Sequence, residues 1–232
     1  MVAFDGKEPV GVLIGCKRPP HTLVHRIAVH PGQLRKGHGR HLLTSLSAKL
    51  AILGPPNLVA EIPAGNSAAR ALFAACGWRE ERTYTDFILD AHPASPAPGG
   101  VVSVTLDDLI DIALPADDAP RSWERTRGTL LKRTDRLLGL AIASGERIEA
   151  SLLYTRNDAN TGASIWNLHV APGADTNGAL GVLVRDLAHR APGRLAIPRI
   201  HETEVSSDSL RSLGFKPGPV TMCYTSQTQS RA

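Results

Sequence analysis

Residues 29–43 read VHPGQLRKGHGRHLL. A β-branched strand end at Val29 passes through Pro31 and Gly32 into a loop holding Arg35, Lys36, Gly37, His38 and Gly39. From Arg40 the pattern becomes helical, with Leu42, Leu43, Leu46 and Leu50 recurring on one face as far as about Leu53. Strand, glycine-bearing basic loop and helix in that order make an anion site. Glycine permits positive φ and a close approach of backbone to ligand. The free N–H groups of the loop and helix start, with Arg35, Lys36 and Arg40 beside them, suit a diphosphate.

Working outward, Pro9–Cys16 and Thr22–Val29 read as two strands rich in β-branched residues, leading into the loop. Beyond the helix, Gly54-Pro55-Pro56 stops the run and Asn57–Ile62 reads as a further strand. Asn66 or Ser67 caps a second helix through Ala75, which Gly77 ends, and a last strand covers about Thr83–Leu89. The order is β-β-α-β-α-β.

The stretch 91–100, AHPASPAPGG, cannot hold a helix or an interior strand. It separates residues 1–92 from 101–232, with 93–100 as linker. The second half repeats the order of the first. A hairpin turns at Ser144–Gly145, a strand runs over Ser164–Val170 and a helix over Gly178–Arg190. Arg194–Ile200 is a strand, Ser206–Leu213 a helix and Thr221–Thr225 the final strand. VHPG at 29–32 matches VAPG at 170–173, Leu58 matches Leu195 and Gly77–Trp78 matches Gly214–Phe215. Three ordered matches over one element order indicate an internal repeat. Val101–Val104 reads as an extra strand, and residues 106–132 as one or two helices broken by Pro115 and Pro120. The first half has no counterpart and starts at its hairpin.

The stretch from Val29 resembles the GNAT superfamily of N-acetyltransferases. Arg35-Lys36-Gly37-His38-Gly39 fits the core of the family's pyrophosphate loop. The family's Arg or Gln three places before the first glycine is Leu34 here, with Gln33 one place too early. Asn66, Ala69, Leu72, Phe73 and Gly77–Trp78 are similar to the family's next helix. The resemblance covers nearly the whole first half. It implies an α/β (α+β) fold of two fused GNAT-like domains, each a mixed, mostly antiparallel sheet flanked by helices, with the first copy truncated and the second degenerate. It implies acetyl-CoA or another acyl-CoA as co-substrate and an amine as acceptor. The backbone of Ile27, Ala28 and Val29 would pair with the pantetheine arm. Arg35, Lys36, Gly37, His38, Gly39 and Arg40 would hold the pyrophosphate, and Asn66 would face the cofactor.

Direct attack by an amine needs a base, and an acid for the departing thiolate. His25, four residues before Val29, is the first choice as base, since an imidazole suits proton transfer at neutral pH. A surface strand histidine is the competing reading. Glu61 on the next strand is the second choice, against a solvated carboxylate. The family's tyrosine acid falls on Phe73, which has no proton to donate. Tyr84, another group or solvent then supplies the proton, or this copy only binds. His30 and His38 read as loop residues and His41 as helix surface. In the second half Asn177 falls on Lys36, Gly178 on Gly37 and Leu180 on Gly39, and Asp175 puts a carboxylate where phosphate would lie. This half is therefore expected not to bind acyl-CoA, with Trp123 and Trp166 as candidates for an acceptor wall or for core packing.

Composition bounds these readings. Aromatic residues make up 4% of 232, too few for base-stacking platforms, and the net charge of +4 is dispersed, so a nucleic-acid binder ranks last. No apolar run reaches the ~20 residues of a membrane span. The N-terminus shows no signal core, and the chain is expected to be cytoplasmic. Cys16, Cys76 and Cys223 show no metal-like spacing and are expected to be buried free thiols. The missing start of the first half leaves the acceptor side open, completed by the second half, or completed by a second copy in a homodimer.

Overall fold

The computed structural model describes residues 1–91, 100–114, 119–145, 147–157 and 162–228. The linker 93–100, apart from Gly100, and Pro115 lie outside the described residues. In chain order the elements are β1 (Val2–Asp5), β2 (Glu8–Arg18), β3 (His21–Val29), α1 (His38–Leu53), β4 (Asn57–Pro63), α2 (Ser67–Ala75), β5 (Arg79–Ala91) and β6 (Val101–Val104). Then follow α3 (Leu106–Leu109), α4 (Arg127–Leu130), β7 (Leu138–Ser144), β8 (Arg147–Arg156), β9 (Gly162–Val170), α5 (Thr176–Arg190), β10 (Gly193–Ile200), α6 (Ser207–Ser212) and β11 (Lys216–Gln227). They form two compact units, Met1–Thr83 with Thr221–Ala232, and Tyr84–Val220.

In the first unit the strands lie in the order β1-β2-β3-β4-β11-β5. β1–β2, β2–β3 and β4–β11 are antiparallel, and β3–β4 is parallel. The leucines read as the apolar face of α1, Leu42, Leu43, Leu46 and Leu50, are all buried. They pack on Leu58, Ala60 and Ile62, which alternate along β4, and on Phe73, Trp78 and Tyr224. Removing one such leucine from water contributes about 1.5–3 kcal/mol, so this stripe fixes α1 on the sheet.

In the second unit the order is β5-β10-β9-β8-β7-β6, with β9–β10 parallel and β5–β10, β8–β9, β7–β8 and β6–β7 antiparallel. Neighbouring residues on a strand point to opposite faces, and here both faces are covered. Leu152 joins the core under α5 and α6, with Leu180, Leu183, Leu187 and Leu210. Leu153 joins a separate cluster with Leu106, Leu109, Leu114, Leu130 and Leu137, against which Trp166 packs. Trp166 therefore has a core place, with its indole N–H donating to Thr155 at 3.0 Å.

Three details differ from the sequence reading. A short strand, β1, precedes the expected hairpin, turned by Gly6 at φ 61°. The last strand of the chain enters the first unit, where Thr221–Gln227 pair with Asn57–Pro63 of β4. The end of β5, from Phe87 to Ala91, pairs with β10 in the second. Finally, Cys16 is exposed, Cys76 half-buried and only Cys223 buried. Cys16 lies near the end of β2, where residues 14–17 are exposed, so the expectation of three buried thiols fails there.

Candidate active site

The parallel ladder of β3 and β4 has four rungs, His21–Asn57, Thr22–Leu58, Leu23–Val59 and Val24–Ala60. It stops there, although β3 runs on to Val29 and β4 to Pro63. The strands part, and the facing edges beyond the last rung offer backbone groups without ladder partners. Such groups demand hydrogen bonds from a ligand or solvent. The cause is legible in the neighbouring ladder: Ile14 pairs with Arg26 and Gly15 with Val24, so His25 is an extra residue, a β-bulge. Bulges bend a strand and re-aim its side chains. His25 and Glu61 are each the first residue past the last rung, one on either strand. Ile27, Ala28 and Val29 follow on β3, held on the other edge by Leu13, Val12 and Gly11. An apolar cavity of about 410 Å³ lies along β1–β3 beside Ala28, Val29 and Pro31, away from the His25–Glu61 pair.

At the far end of the cleft the loop reverses the chain twice through left-handed backbone, at Arg35 (φ 66°) and at Gly37 (φ 90°). Gly37 is the N-cap of α1 and no side chain caps the helix. The helix's hydrogen bonding opens with His41 N–H to Gly37 O at 2.9 Å, so the amides of His38, Gly39 and Arg40 are the orphan donors of a helix start. The first turn holds no acidic residue, and Arg35 and Lys36 beside it are exposed. The sum is an electropositive concavity of N–H groups. Gly39 has a different reason for being glycine than ligand approach: a Cβ there would meet Leu72 of α2 at 3.0 Å. His30 turns its Nδ1 to accept the Gly32 N–H at 3.2 Å, which makes it a turn cap. Burial pushes the Cys76 thiol pKa up, and the charge of Arg40 pulls it part of the way back.

Residues 1–78 match the family model described as Acetyltransferase (GNAT) family. Solved structures agree over the whole chain. A GCN5-related N-acetyltransferase from Sphaerobacter thermophilus is 14% identical with a TM-score of 0.65, over 98% of this chain and 79% of that one. A tandem GNAT protein from the clavulanic acid biosynthesis pathway is 17% identical with a TM-score of 0.67, over 100% and 83%. A GCN5-related N-acetyltransferase from Kribbella flavida is 11% identical with a TM-score of 0.61, over 95% and 88%. The fold is that of the GNAT acetyltransferases. No curated protein matches the sequence.

The remaining GNAT candidates have definite places. Asn66 caps α2, its Oδ1 accepting the Ala69 N–H at 3.0 Å, and is exposed. Phe73, at the position of the GNAT tyrosine, is 2% exposed and packs edge-on against Trp78, with Tyr224 at 6.3 Å. The Tyr224 hydroxyl donates to Glu80 at 3.0 Å and accepts from Arg70 at 3.3 Å. Sequence reasoning missed this network because its members lie 144 and 154 residues apart. Tyr84 belongs to the second unit, is 1% exposed, and gives its hydroxyl proton to the Arg121 carbonyl at 3.0 Å.

In the second unit the GNAT loop is gone. α5 begins at Thr176 with Asp175 as N-cap, so Gly178, the counterpart of Gly37, lies inside the helix. A side chain there would collide with the Asp175 carboxylate. Leu180, the counterpart of Gly39, is fully buried. Among the described residues no helix is long and apolar enough to cross a membrane.

Proposed function

We propose that the protein is an acyl-CoA-dependent N-acyltransferase that moves an acyl group, in the first instance acetyl, onto an amine by direct attack. The observation that carries this is the parting of β3 and β4 after Val24–Ala60, leading to an uncapped, basic helix start. The pantetheine arm would lie along Ile27, Ala28 and Val29, completing the free strand edge. The pyrophosphate would take the amides of Gly37, His38, Gly39 and Arg40, with Arg35 and Lys36 supplying charge. Asn66 would shape the α2 side of the cofactor site. His25 would remove the proton from the attacking amine, with Glu61 as the alternative base. With Phe73 at the tyrosine position and the Tyr84 hydroxyl engaged, solvent would protonate the thiolate. The duplicated sequence units 1–92 and 101–232 would divide the work, the first binding cofactor.

The test is isothermal titration with acetyl-CoA, wild type against Arg35→Glu/Lys36→Glu, followed by thiol release over a panel of amines. Both side chains are exposed, so the double variant keeps its fold. It is expected to bind at least 10-fold more weakly, as loss of two phosphate-facing charges costs above about 1.4 kcal/mol. No binding by wild type would sink the reading. Binding without thiol release from any amine would favour a second reading, a catalytically silent acyl-CoA-binding protein, for which Phe73 is the specific argument.

A further inference from the structure

The second unit repeats the parting of strands. β9 and β10 pair in parallel at Gly162–Arg194, Ala163–Leu195 and Ser164–Ala196, and the ladder stops there although β9 runs to Val170 and β10 to Ile200. When Val170 is laid on Val29 and Leu195 on Leu58, Ser164–Ala196 falls on Leu23–Val59. The two ladders share one register, the second opening one rung earlier than the first, and Ile165 and Pro198 stand where Val24 and Glu61 stand in the first.

The second cleft holds a side chain. Arg125, at the end of a 3-10 turn formed by Trp123–Arg125, sends Nη1 to the carbonyl of Ile165 on β9 at 2.9 Å and to that of Pro198 on β10 at 3.4 Å. Its Nε and Nη2 reach the Glu204 carboxylate at 3.1 and 3.0 Å. The Arg125 side chain is 0% exposed and that of Glu204 3%. Glu204 also takes Arg121 Nη1 at 2.9 Å and the His201 N–H at 3.1 Å. Arg121 in turn donates to Asn167 at 2.9 Å. A guanidinium presents a rigid fork of donors, and here one donor bridges the two parted strands while the rest are pinned by the carboxylate.

We propose that Arg125 is the built-in occupant of the second cleft. Its guanidinium satisfies the strand carbonyls that an amide-bearing ligand would otherwise engage, Glu204 holds it there, and the second unit is closed to acyl-CoA by this plug as well as by its altered loop. One chain then takes one acyl-CoA. The stoichiometry rests on the function proposed above, whereas the plug does not.

The plug is tested without acyl-CoA. Arg125→Ala takes from buried Glu204 one of its two guanidinium partners and leaves the Ile165 and Pro198 carbonyls without their donor, so its thermal midpoint is expected to fall by at least about 5 °C. Methylguanidinium at millimolar concentration, which fits the vacated space, should restore part of the loss, and tetramethylammonium should not. Arg125→Ala/Glu204→Ala should show no such rescue. A midpoint equal to wild type, or equal recovery with both cations, overturns the plug. If Arg125→Ala yields no folded protein, Arg125→Lys is read in its place. A lysine keeps the charge but not the fork, so the midpoint should still fall, and one equal to wild type overturns the proposal. Titration of wild type with acetyl-CoA should give one site, and Arg35→Glu/Lys36→Glu should leave no second one. Two sites per chain overturn the single-site claim. No binding at all sinks the acyltransferase reading, and methylguanidinium rescue still decides the plug.

Discussion

His25 owes its place to a single extra residue in β3. Without the bulge the strand would keep its register with β2, and the residue after Val24 would not stand alone at the parting of the strands. His25→Ala is therefore expected to lower kcat for amine acetylation by about 10²-fold or more while the acetyl-CoA Kd from titration stays within a factor of two. A rise in Kd with kcat unchanged would make it a binding residue. Two other histidines contribute to the pH dependence of stability. Burial, then Arg82, holds the His21 pKa below its usual value, and burial, then Arg121, does the same for His169. A histidine with a depressed folded pKa binds fewer protons folded than unfolded, so stability is full above the unfolded value of about 6.5 and declines as pH falls below it. The urea midpoint should drop between pH 7.5 and 5.5, and His169→Gln should flatten part of that slope. At this scale the sequence was informative where a side chain's role depends on its own strand. The strand positions of His25 and Glu61 are legible in the sequence, whereas the bonds of Tyr224, Arg125 and Glu204 are not, because their partners come from distant segments.

Both glycines of the loop stand out in the sequence, but the fold gives them different reasons. Gly37 sits at φ 90° with open space around a Cβ, and Gly39 sits within α1 with Leu72 at 3.0 Å. Gly37→Ala forces an L-residue into left-handed backbone and should cost about 1–2 kcal/mol in urea unfolding. Gly39→Ala meets the flexible end of a leucine, which can give by a few tenths of an ångström, and should cost less. The reverse ranking would mean that the α1–α2 contact, not the turn, is the constraint. The helical spacing of the leucines located α1 to within two residues of its start, since burial enforces that pattern. The spacing carried no sign that α5 swallows the loop of the second unit. There the deciding feature is Asp175 as N-cap, and a carboxylate at a helix start favours earlier initiation. β1 gives no strand signal in the sequence because the apolar run before the Asp5-Gly6 turn is only the four residues Met1, Val2, Ala3 and Phe4.

The repeat in the sequence suggests two halves that each close on their own last strand, and the molecule does otherwise. Periodicity and turns report on local structure, and the choice of partner for a terminal strand is settled by which open edge buries it. β11 lies beside β4 through seven residue pairs, from Thr221–Pro63 to Gln227–Asn57. It brings Cys223 and Tyr224, 1% and 5% exposed, into the first unit. Tyr224 touches Phe73 and bonds to Arg70 and Glu80, so the C-terminal residues bear on the α2 wall of the proposed site. Deleting residues 221–232 would strip β4 of one neighbour and expose an unpaired strand edge. It removes nothing from the second unit, Tyr84–Val220. Amide hydrogen exchange on this truncation should show β3, β4 and α1 exchanging at least 10-fold faster, while β7, β8 and β9 keep their protection. Acetyl-CoA binding should be lost with them, and a synthetic peptide of residues 216–228 added in trans should restore part of both. Equal protection in the truncated and full chains would show that the first unit stands without β11. Residues 1–92 expressed alone should then fold and bind, an outcome the strand exchange forbids.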